Sequence, residues 1–150
     1  QATSIQTVAF VRNPYDRLVS AYYYLIKSGG QNQLDLSFRD ILSAYVSFRD
    51  FVLHINEDDL HNRILHIKPV YWFVCDQNNN VIVNRIFKIE NVEEIDAFLW
   101  ELGIDKKLSD YVKNTSSHMH YSLYLDGDIV REINNIYDLD FKLFNYEKII

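Results

Sequence analysis

Cysteine, proline and glycine are scarce in this chain of 150 residues, which contains one Cys, two Pro and four Gly. The single thiol, Cys75, excludes an intrachain disulfide and a multi-cysteine zinc site, and it favours a reducing compartment. So few glycines and prolines exclude collagen-like, linker-rich and low-complexity sequences. No apolar run approaches the roughly 18–20 residues that span a bilayer, and no signal peptide is recognisable.

Basic charge is scarce too, because 15 Lys and Arg stand against 21 Asp and Glu and give a net charge of −6. This balance argues against a nucleic-acid-binding protein, which normally carries a basic excess. A site for a phosphorylated small molecule needs only a few local cations and stays open. Apolar residues reach 48% and aromatic residues 15%, which is typical of a folded domain with a buried core. We therefore expect residues 1–150 to form a single domain.

The hydrophobic pattern of the first half predicts one strand and two helices. Thr7–Val11 is short, β-prone and apolar on both faces, which favours a buried parallel strand. Asn13 and Pro14 then predict the start of a helix that Gly29-Gly30 ends. A second helix is predicted over roughly residues 37–55, and the acidic stretch after it is predicted to be a solvated break.

The second half predicts strands followed by helices. Val70–Val74 and Val81–Ile89 are most simply two β segments joined by an Asn-rich turn. Asn91 predicts the start of a helix that ends near Gly103. A last helix is predicted from about residue 126, followed by an aromatic tail that docks on the core. The alternation of these elements predicts an α/β fold.

The junction between the first strand and the first helix has the geometry of a phosphate site. A strand that leads into a helix N-terminus presents unpaired N–H groups and positive potential, and Arg12 can donate two parallel hydrogen bonds there. Ser20 lies about two turns along the helix. Arg17 either adds positive potential or forms an ion pair with Asp16 or a later acidic residue. The alternative is a capped helix whose arginine makes only a surface ion pair.

The full segment Phe10–Tyr23 resembles the 3′-phosphate-binding segment of sulfotransferases that use phosphoadenosine phosphosulfate (PAPS). It looks most like the carbohydrate branch, which includes the chondroitin, dermatan and heparan sulfotransferases and bacterial relatives. The family pattern is an apolar strand, Arg-Asp/Asn-Pro, two variable residues, Arg-Leu-Val-Ser and an aromatic residue. Each element is matched in place in this sequence.

The resemblance continues to the end of the chain. Four later segments are similar to family patterns: His66–Pro69, Arg85–Asn91, Asn114-x-Ser116 and Tyr137–Glu147. Two positions depart from the pattern, since many relatives have Gln at the position of Val70 and an acidic residue at that of Asn84. Together these segments cover nearly the whole sequence in order.

The resemblance implies a P-loop-type parallel sheet flanked by helices and transfer of a sulfuryl group from PAPS to a carbohydrate hydroxyl. It implies that Arg12 and Ser20 hold the 3′-phosphate, and it makes Asn114 and Ser116 candidate nucleotide contacts. No residue is assigned as the catalytic base, and His66 is a weak candidate. We expect no metal, because His61 and His66 lack the i, i+4 spacing of a helical zinc pair.

One family element is not found in these 150 residues. Family members begin with a strand and a Pro-Lys-x-Gly-Thr/Ser-like loop that holds the 5′-phosphosulfate, so we expect an N-terminally incomplete fold. A non-catalytic sulfotransferase-like binding module is therefore the alternative function. A nucleotide-kinase-like relative ranks lower, because no Walker-type Lys or magnesium-binding acid motif is present.

The resemblance also implies partners and a location. The expected partner is a carbohydrate acceptor. The charge balance and the short apolar runs predict no nucleic acid and no membrane segment in this chain, and a sheet edge exposed by the missing strand would promote a homo-oligomer. Bacterial relatives imply a cytoplasmic location, whereas animal relatives work in the Golgi lumen.

Overall fold

The structure, a computed structural model, describes residues 5–28, 32–108 and 118–150. The chain folds into two compact units. The first, here called the sheet unit, is formed by Gln1–Arg12 and Val70–Thr115. The second, the helical unit, is formed by Asn13–Pro69 and Ser116–Ile150.

The sheet unit contains a parallel pair of strands. Strand β1 (Val8–Val11) pairs with β2 (Arg85–Lys88), with Val8 opposite Arg85. Just before each strand, the Thr7 amide and hydroxyl both donate to Oδ1 of Asn84, at 2.8 and 2.9 Å. The asparagine that departs from the family pattern therefore helps to fix the register of the two strands.

The predicted parallel strand at the start of the chain is confirmed, but its predicted burial on both faces is wrong. Val11 is buried, whereas Val8 is 37% and Phe10 49% exposed. Among the residues that the structure describes, β2 is the only strand beside β1. Because no second neighbour covers β1 there, its outer residues stay accessible to solvent.

The predicted strand at Val70–Val74 is also wrong, because Tyr71–Val74 forms a single helical turn, α4. The amide of Phe73 donates to the Val70 carbonyl at 2.9 Å, and that of Cys75 to the Tyr71 carbonyl at 3.0 Å. A short apolar run fits a strand and a buried helical turn equally well, so its pattern alone does not decide between them. The predicted Asn-rich turn is confirmed, and Cys75 and Val81 flank it as an isolated antiparallel bridge.

Helix α5 (Val92–Glu101) packs on the strands and ends as predicted. The rings of Phe87 and Phe98 lie 4.7 Å apart between centroids. Past the last turn, Gly103 has a φ of +74°, and the Ile104 amide donates to the Leu99 carbonyl at 2.9 Å. This is a Schellman ending, which needs a residue that tolerates positive φ.

The helical unit begins with α1 (Pro14–Tyr23), which starts where the sequence predicts. The side chain of Asn13 accepts a hydrogen bond from the Tyr15 amide at 3.0 Å. After Tyr23 the backbone continues as a π-helical turn over Tyr24–Ser28. The predicted stop at Gly29-Gly30 lies outside the described residues.

The second predicted helix is in fact two helices, α2 (Gln33–Leu42) and α3 (Phe48–His54). They are separate because Ser47 caps a new start, with its hydroxyl accepting from the Asp50 amide at 3.1 Å. The acidic stretch after α3 was expected to be solvated throughout. Instead, a π-helical turn over Asp59–Arg63 buries Asp59, which is paired with Arg63 at 2.7 Å.

The predicted last helix is confirmed as α6 (Gly127–Ile136). The tail after it, which was predicted only to dock on the core, begins with a further helix, α7 (Asp138–Leu143), in which Phe141 is buried. Asp126 caps α6 by accepting from the amides of Asp128 and Ile129, each at 3.0 Å. The core of this unit is built from apolar side chains of α1, α2, α3, α6 and α7 and includes Tyr15, Leu18, Phe38, Phe51, Ile133, Tyr137 and Phe141.

The described chain thus combines a parallel strand pair with helices, which is the predicted α/β fold class. No helix among the described residues is long and apolar enough to span a membrane.

Candidate functional site

Arg12 lies at the carboxyl end of a parallel strand, directly after Val11, the last residue of β1. In open parallel sheets, ligands bind beyond the carboxyl ends of the strands. Val11 is buried, and the ring of Phe10 stacks on that of Phe87 with centroids 5.8 Å apart. The strand that presents Arg12 is therefore anchored by packing within the sheet unit.

Ser20 lies on the partly exposed side of α1, in the helical unit. Leu18, Val19 and Tyr22 of this helix are buried, whereas Ser20 and Asp16 are half-buried. Residues four apart lie on the same face of a helix, so Ser20 shares this side with Asp16. An anion beside Ser20 would have this carboxylate near it and needs cationic partners to offset it.

Arg17 has a structural role in the helical unit. Its Nη2 donates to the backbone carbonyls of His66 (3.2 Å) and Lys68, and its Nη1 lies 3.9 Å from Oδ2 of the buried Asp140. Of the two roles considered from the sequence, the ion pair with a later acidic residue is the one observed.

The segment His66–Lys68 is fixed through its backbone. Between the two carbonyls bound by Arg17, the carbonyl of Ile67 accepts a hydrogen bond from the Tyr137 hydroxyl at 2.6 Å. Complete burial raises the pKa of Tyr137 above its ordinary value, so this hydroxyl stays protonated and keeps donating. The Arg17 guanidinium also lies 5.8 Å from the centre of the Tyr137 ring.

His66 faces a buried carboxylate that the sequence analysis did not identify. Its Nε2 is 3.7 Å from Oδ1 of Asp35, which is 4% exposed. Oδ2 of Asp35 accepts from the Tyr24 hydroxyl at 3.2 Å and from Asn32 Nδ2 at 2.9 Å. The spacing Asn-x-x-Asp could have revealed this carboxylate, because the same arrangement recurs at Asn56 and Asp59.

The positions of the two ring nitrogens of His66 determine whether it can act as a general base. Its Nδ1 is buried and has no hydrogen-bond partner among the described residues, and its Nε2 points toward Asp35. A general base needs a ring nitrogen within hydrogen-bond reach of the acceptor hydroxyl. A catalytic role for His66 would require the ring to turn, and it stays a prediction.

The remaining candidates are placed as follows. Asn114 and Ser116 lie outside the described residues. In the Tyr22–Tyr24 run, Tyr22 is a core residue with its ring 5.2 Å from those of both Phe48 and Phe51. Desolvation and the neighbouring Tyr124 raise the pKa of Tyr23 to about 12.

In the described part of the chain, no three His, Cys, Asp or Glu residues are grouped as metal ligands.

Comparison with protein families identifies the class to which these features belong. The model of the sulfotransferase family matches residues 1–147. The chain therefore belongs to the sulfotransferase family, the enzymes that transfer sulfuryl groups. No curated protein and no solved structure matches the chain.

Proposed function

We propose that this chain is a PAPS-dependent sulfotransferase that acts on a hydroxyl group of a carbohydrate. The observation that carries the proposal is the segment Phe10–Tyr23, in which Arg12 directly follows the last residue of β1 and Asn13 caps α1. The family match over residues 1–147 supports the sulfuryl transfer itself. The donor and the class of acceptor rest on the resemblance of this segment to the carbohydrate branch.

Arg12 and Ser20 are the proposed ligands of the donor's 3′-phosphate. A guanidinium donates parallel hydrogen bonds to two phosphate oxygens, and charge-assisted bonds of this kind are about twice as strong as neutral ones. The Ser20 hydroxyl adds a neutral donor. Because ordinary adenine nucleotides lack a 3′-phosphate, these contacts select the donor from them.

In the proposed reaction, PAPS and the protein have separate roles. PAPS supplies the sulfuryl group: a bond forms between the acceptor oxygen and sulfur, and the bond from sulfur to the 5′-phosphate oxygen breaks. The hydroxyl proton passes to a base, for which His66 is the proposed candidate. Arg12 and Ser20 bind and orient the nucleotide and take no part in bond breaking, so their contribution is measurable as binding alone.

Calorimetric titration with adenosine 3′,5′-bisphosphate, the product nucleotide, tests this binding site. Arg12→Ala should weaken binding roughly 10- to 100-fold, because a hydrogen-bonded charge contributes about 1.5–3 kcal/mol. Arg131→Ala is the matched control, since Arg131 is an arginine of α6 with a 72% exposed side chain. Equal affinity of the Arg12 variant and the wild-type chain would refute the assignment.

Ser20→Ala should weaken binding by about three- to tenfold, the effect of losing one neutral hydrogen bond. Ser37→Ala is its control, because that hydroxyl is committed to the Leu34 carbonyl at 2.7 Å within α2. Bisphosphate binding that is absent, or that is indifferent to both substitutions, would refute the proposed 3′-phosphate site and leave the non-catalytic module as the alternative.

A further inference from the structure

An open cleft in the sheet unit is lined by residues that have no role in the proposed donor site. Its lining comes from α4 and from the turn that follows, and it consists of Tyr71, Trp72, Cys75, Asp76, Gln77 and Asn79. The cavity measures about 450 Å³, which is within the range of roughly 300–1,000 Å³ that small ligands occupy.

Two aromatic rings form one side of this cleft. The centroids of Tyr71 and Trp72 are 5.9 Å apart, with their planes at 40° to each other. Half of the Trp72 side-chain surface is exposed, at 50%. An exposed indole is costly to leave in water and gains free energy when it is covered by a flat apolar surface. The C–H face of a pyranose ring is such a surface.

The remaining polar lining residues belong to a turn that hydrogen bonds fix. Oδ1 of Asp76 accepts from the amides of Asn78 and Asn80, each at 2.8 Å. Asn79 has a φ of 61°, a conformation that asparagine adopts more readily than most residues. Gln77 and Asn79 of this turn line the cleft, and a side-chain amide both donates and accepts hydrogen bonds, as vicinal sugar hydroxyls require.

The negative charge of Asp76 restricts the class of sugar that the cleft can bind. Hydrogen bonds from Asn80 and Asn78 lower the pKa of Asp76, so this carboxyl is ionised at neutral pH. None of the six lining residues is basic. A uronate or a sulfated sugar would bring a second negative charge beside Asp76, and none of the described lining residues would offset it.

From the pair of aromatic rings, the amide residues and the single carboxylate, we propose that this cleft binds a neutral saccharide as part of the acceptor site. This inference rests on the proposed carbohydrate sulfotransferase function and specifies its acceptor: an uncharged sugar rather than a uronate-containing glycan.

Saturation-transfer NMR with lactose and the 150-residue chain tests the cleft. Lactose should bind in the millimolar range, and Trp72→Ala should weaken binding roughly tenfold through loss of the stacking surface. Phe73→Ala is the matched control, because Phe73 is an aromatic residue of the same helix, 56% exposed, and outside the cleft lining. No lactose signal, or equal loss in both variants, would overturn the proposal.

A charged probe tests the sugar class. A chondroitin disaccharide, which carries a glucuronate, should bind about fivefold more weakly than lactose. Asp76→Asn should reduce this difference, since it removes the charge and retains a side-chain oxygen that accepts from the turn. Asn78→Ala serves as control, because it lies in the same turn outside the lining. Tighter binding of the glucuronate disaccharide by the wild-type chain would overturn the assignment to neutral sugars.

The nucleotide titration described above separates this inference from the proposed function. Bisphosphate binding that depends on Arg12, together with no lactose binding, would refute the cleft and leave the sulfotransferase proposal standing. Lactose binding that depends on Trp72, without bisphosphate binding, would support the saccharide cleft and refute the proposed donor site.

Discussion

Among single residues, Arg17 shows most clearly how a family motif can serve the fold. The resemblance places it in the same segment as Arg12 and Ser20, yet its guanidinium binds two backbone carbonyls and faces the buried Asp140. These contacts fix the segment that ends at Pro69. A motif shared by a family therefore mixes residues that bind the ligand with residues that hold the binding segment in place.

Arg17→Ala should lower the free energy of unfolding by roughly 2–4 kcal/mol, because it removes the hydrogen bonds to two carbonyl groups and the guanidinium that faces the buried Asp140. Urea denaturation of the variant measures this. Arg131→Ala, on the exposed side of α6, should change stability by less than about 0.5 kcal/mol. Similar small losses in both variants would show that the Arg17 contacts contribute little.

Tyr137 makes the stability of the helical unit dependent on alkaline pH. Its pKa is raised by burial, so the native state keeps a proton that the unfolded chain releases. The stability that this hydroxyl contributes is therefore present below pH 10 and is lost as pH rises above about 10 toward the native pKa.

Tyr137→Phe should reduce the alkaline loss of stability by up to about 1.4 kcal/mol per pH unit, the effect of one proton. At neutral pH the same change should cost about 1–2 kcal/mol, because the Ile67 carbonyl loses its donor. Urea denaturation at several pH values between 7 and 11 measures both effects. Unchanged pH dependence would contradict this account of Tyr137.

At the scale of elements, local signals in the sequence predict the boundaries that depend on a few neighbouring residues. Asn13, Asp126 and Gly103 each mark a helix end that the structure contains, because capping is a local interaction. The short run Val70–Val74 was predicted wrongly, since its partners in space decide its structure. The pairing of His66 with Asp35 joins residues from different segments and was missed for the same reason.

The cap of α1 has a direct test. Asn13→Ala should lower the free energy of unfolding by about 1 kcal/mol, because the Tyr15 amide loses its acceptor. Asn13→Asp should restore most of this loss, since a carboxylate accepts the same hydrogen bond and interacts favourably with the helix N-terminus. Thermal denaturation of the three proteins is the measurement. An aspartate variant as unstable as the alanine variant would contradict the capping role.

At the scale of the whole molecule, the two units have cores of different size. The helical unit buries a large cluster that includes Tyr15, Leu42, Phe51 and Ile133. Among the described residues of the sheet unit, the buried apolar side chains are only Val11, Val74, Phe87, Ile95 and Phe98. Composition and length predict a buried core but cannot divide it between units, because that division depends on contacts between distant segments.

Hydrogen exchange should reveal this difference. Amides of β2 and α5 should exchange through local opening at lower free energy than those of α1 and α6, because fewer apolar contacts resist opening in the sheet unit. Exchange measured by mass spectrometry on peptides from Arg85–Glu101, Pro14–Tyr23 and Gly127–Ile136 tests this. Equal protection in all three peptides would show that the chain opens as one cooperative body.

The central claim is that Arg12 binds the 3′-phosphate of the donor. Its most direct test is a thermodynamic cycle in which the Arg12 side chain and the 3′-phosphate of the ligand are removed separately and together. Adenosine 3′,5′-bisphosphate and adenosine 5′-phosphate are titrated calorimetrically into the wild-type chain and into Arg12→Ala. The account predicts that the 3′-phosphate strengthens binding roughly 10- to 100-fold in the wild-type chain and has little effect in the variant. The same preference for the bisphosphate in both proteins would contradict the assignment of Arg12 to the 3′-phosphate.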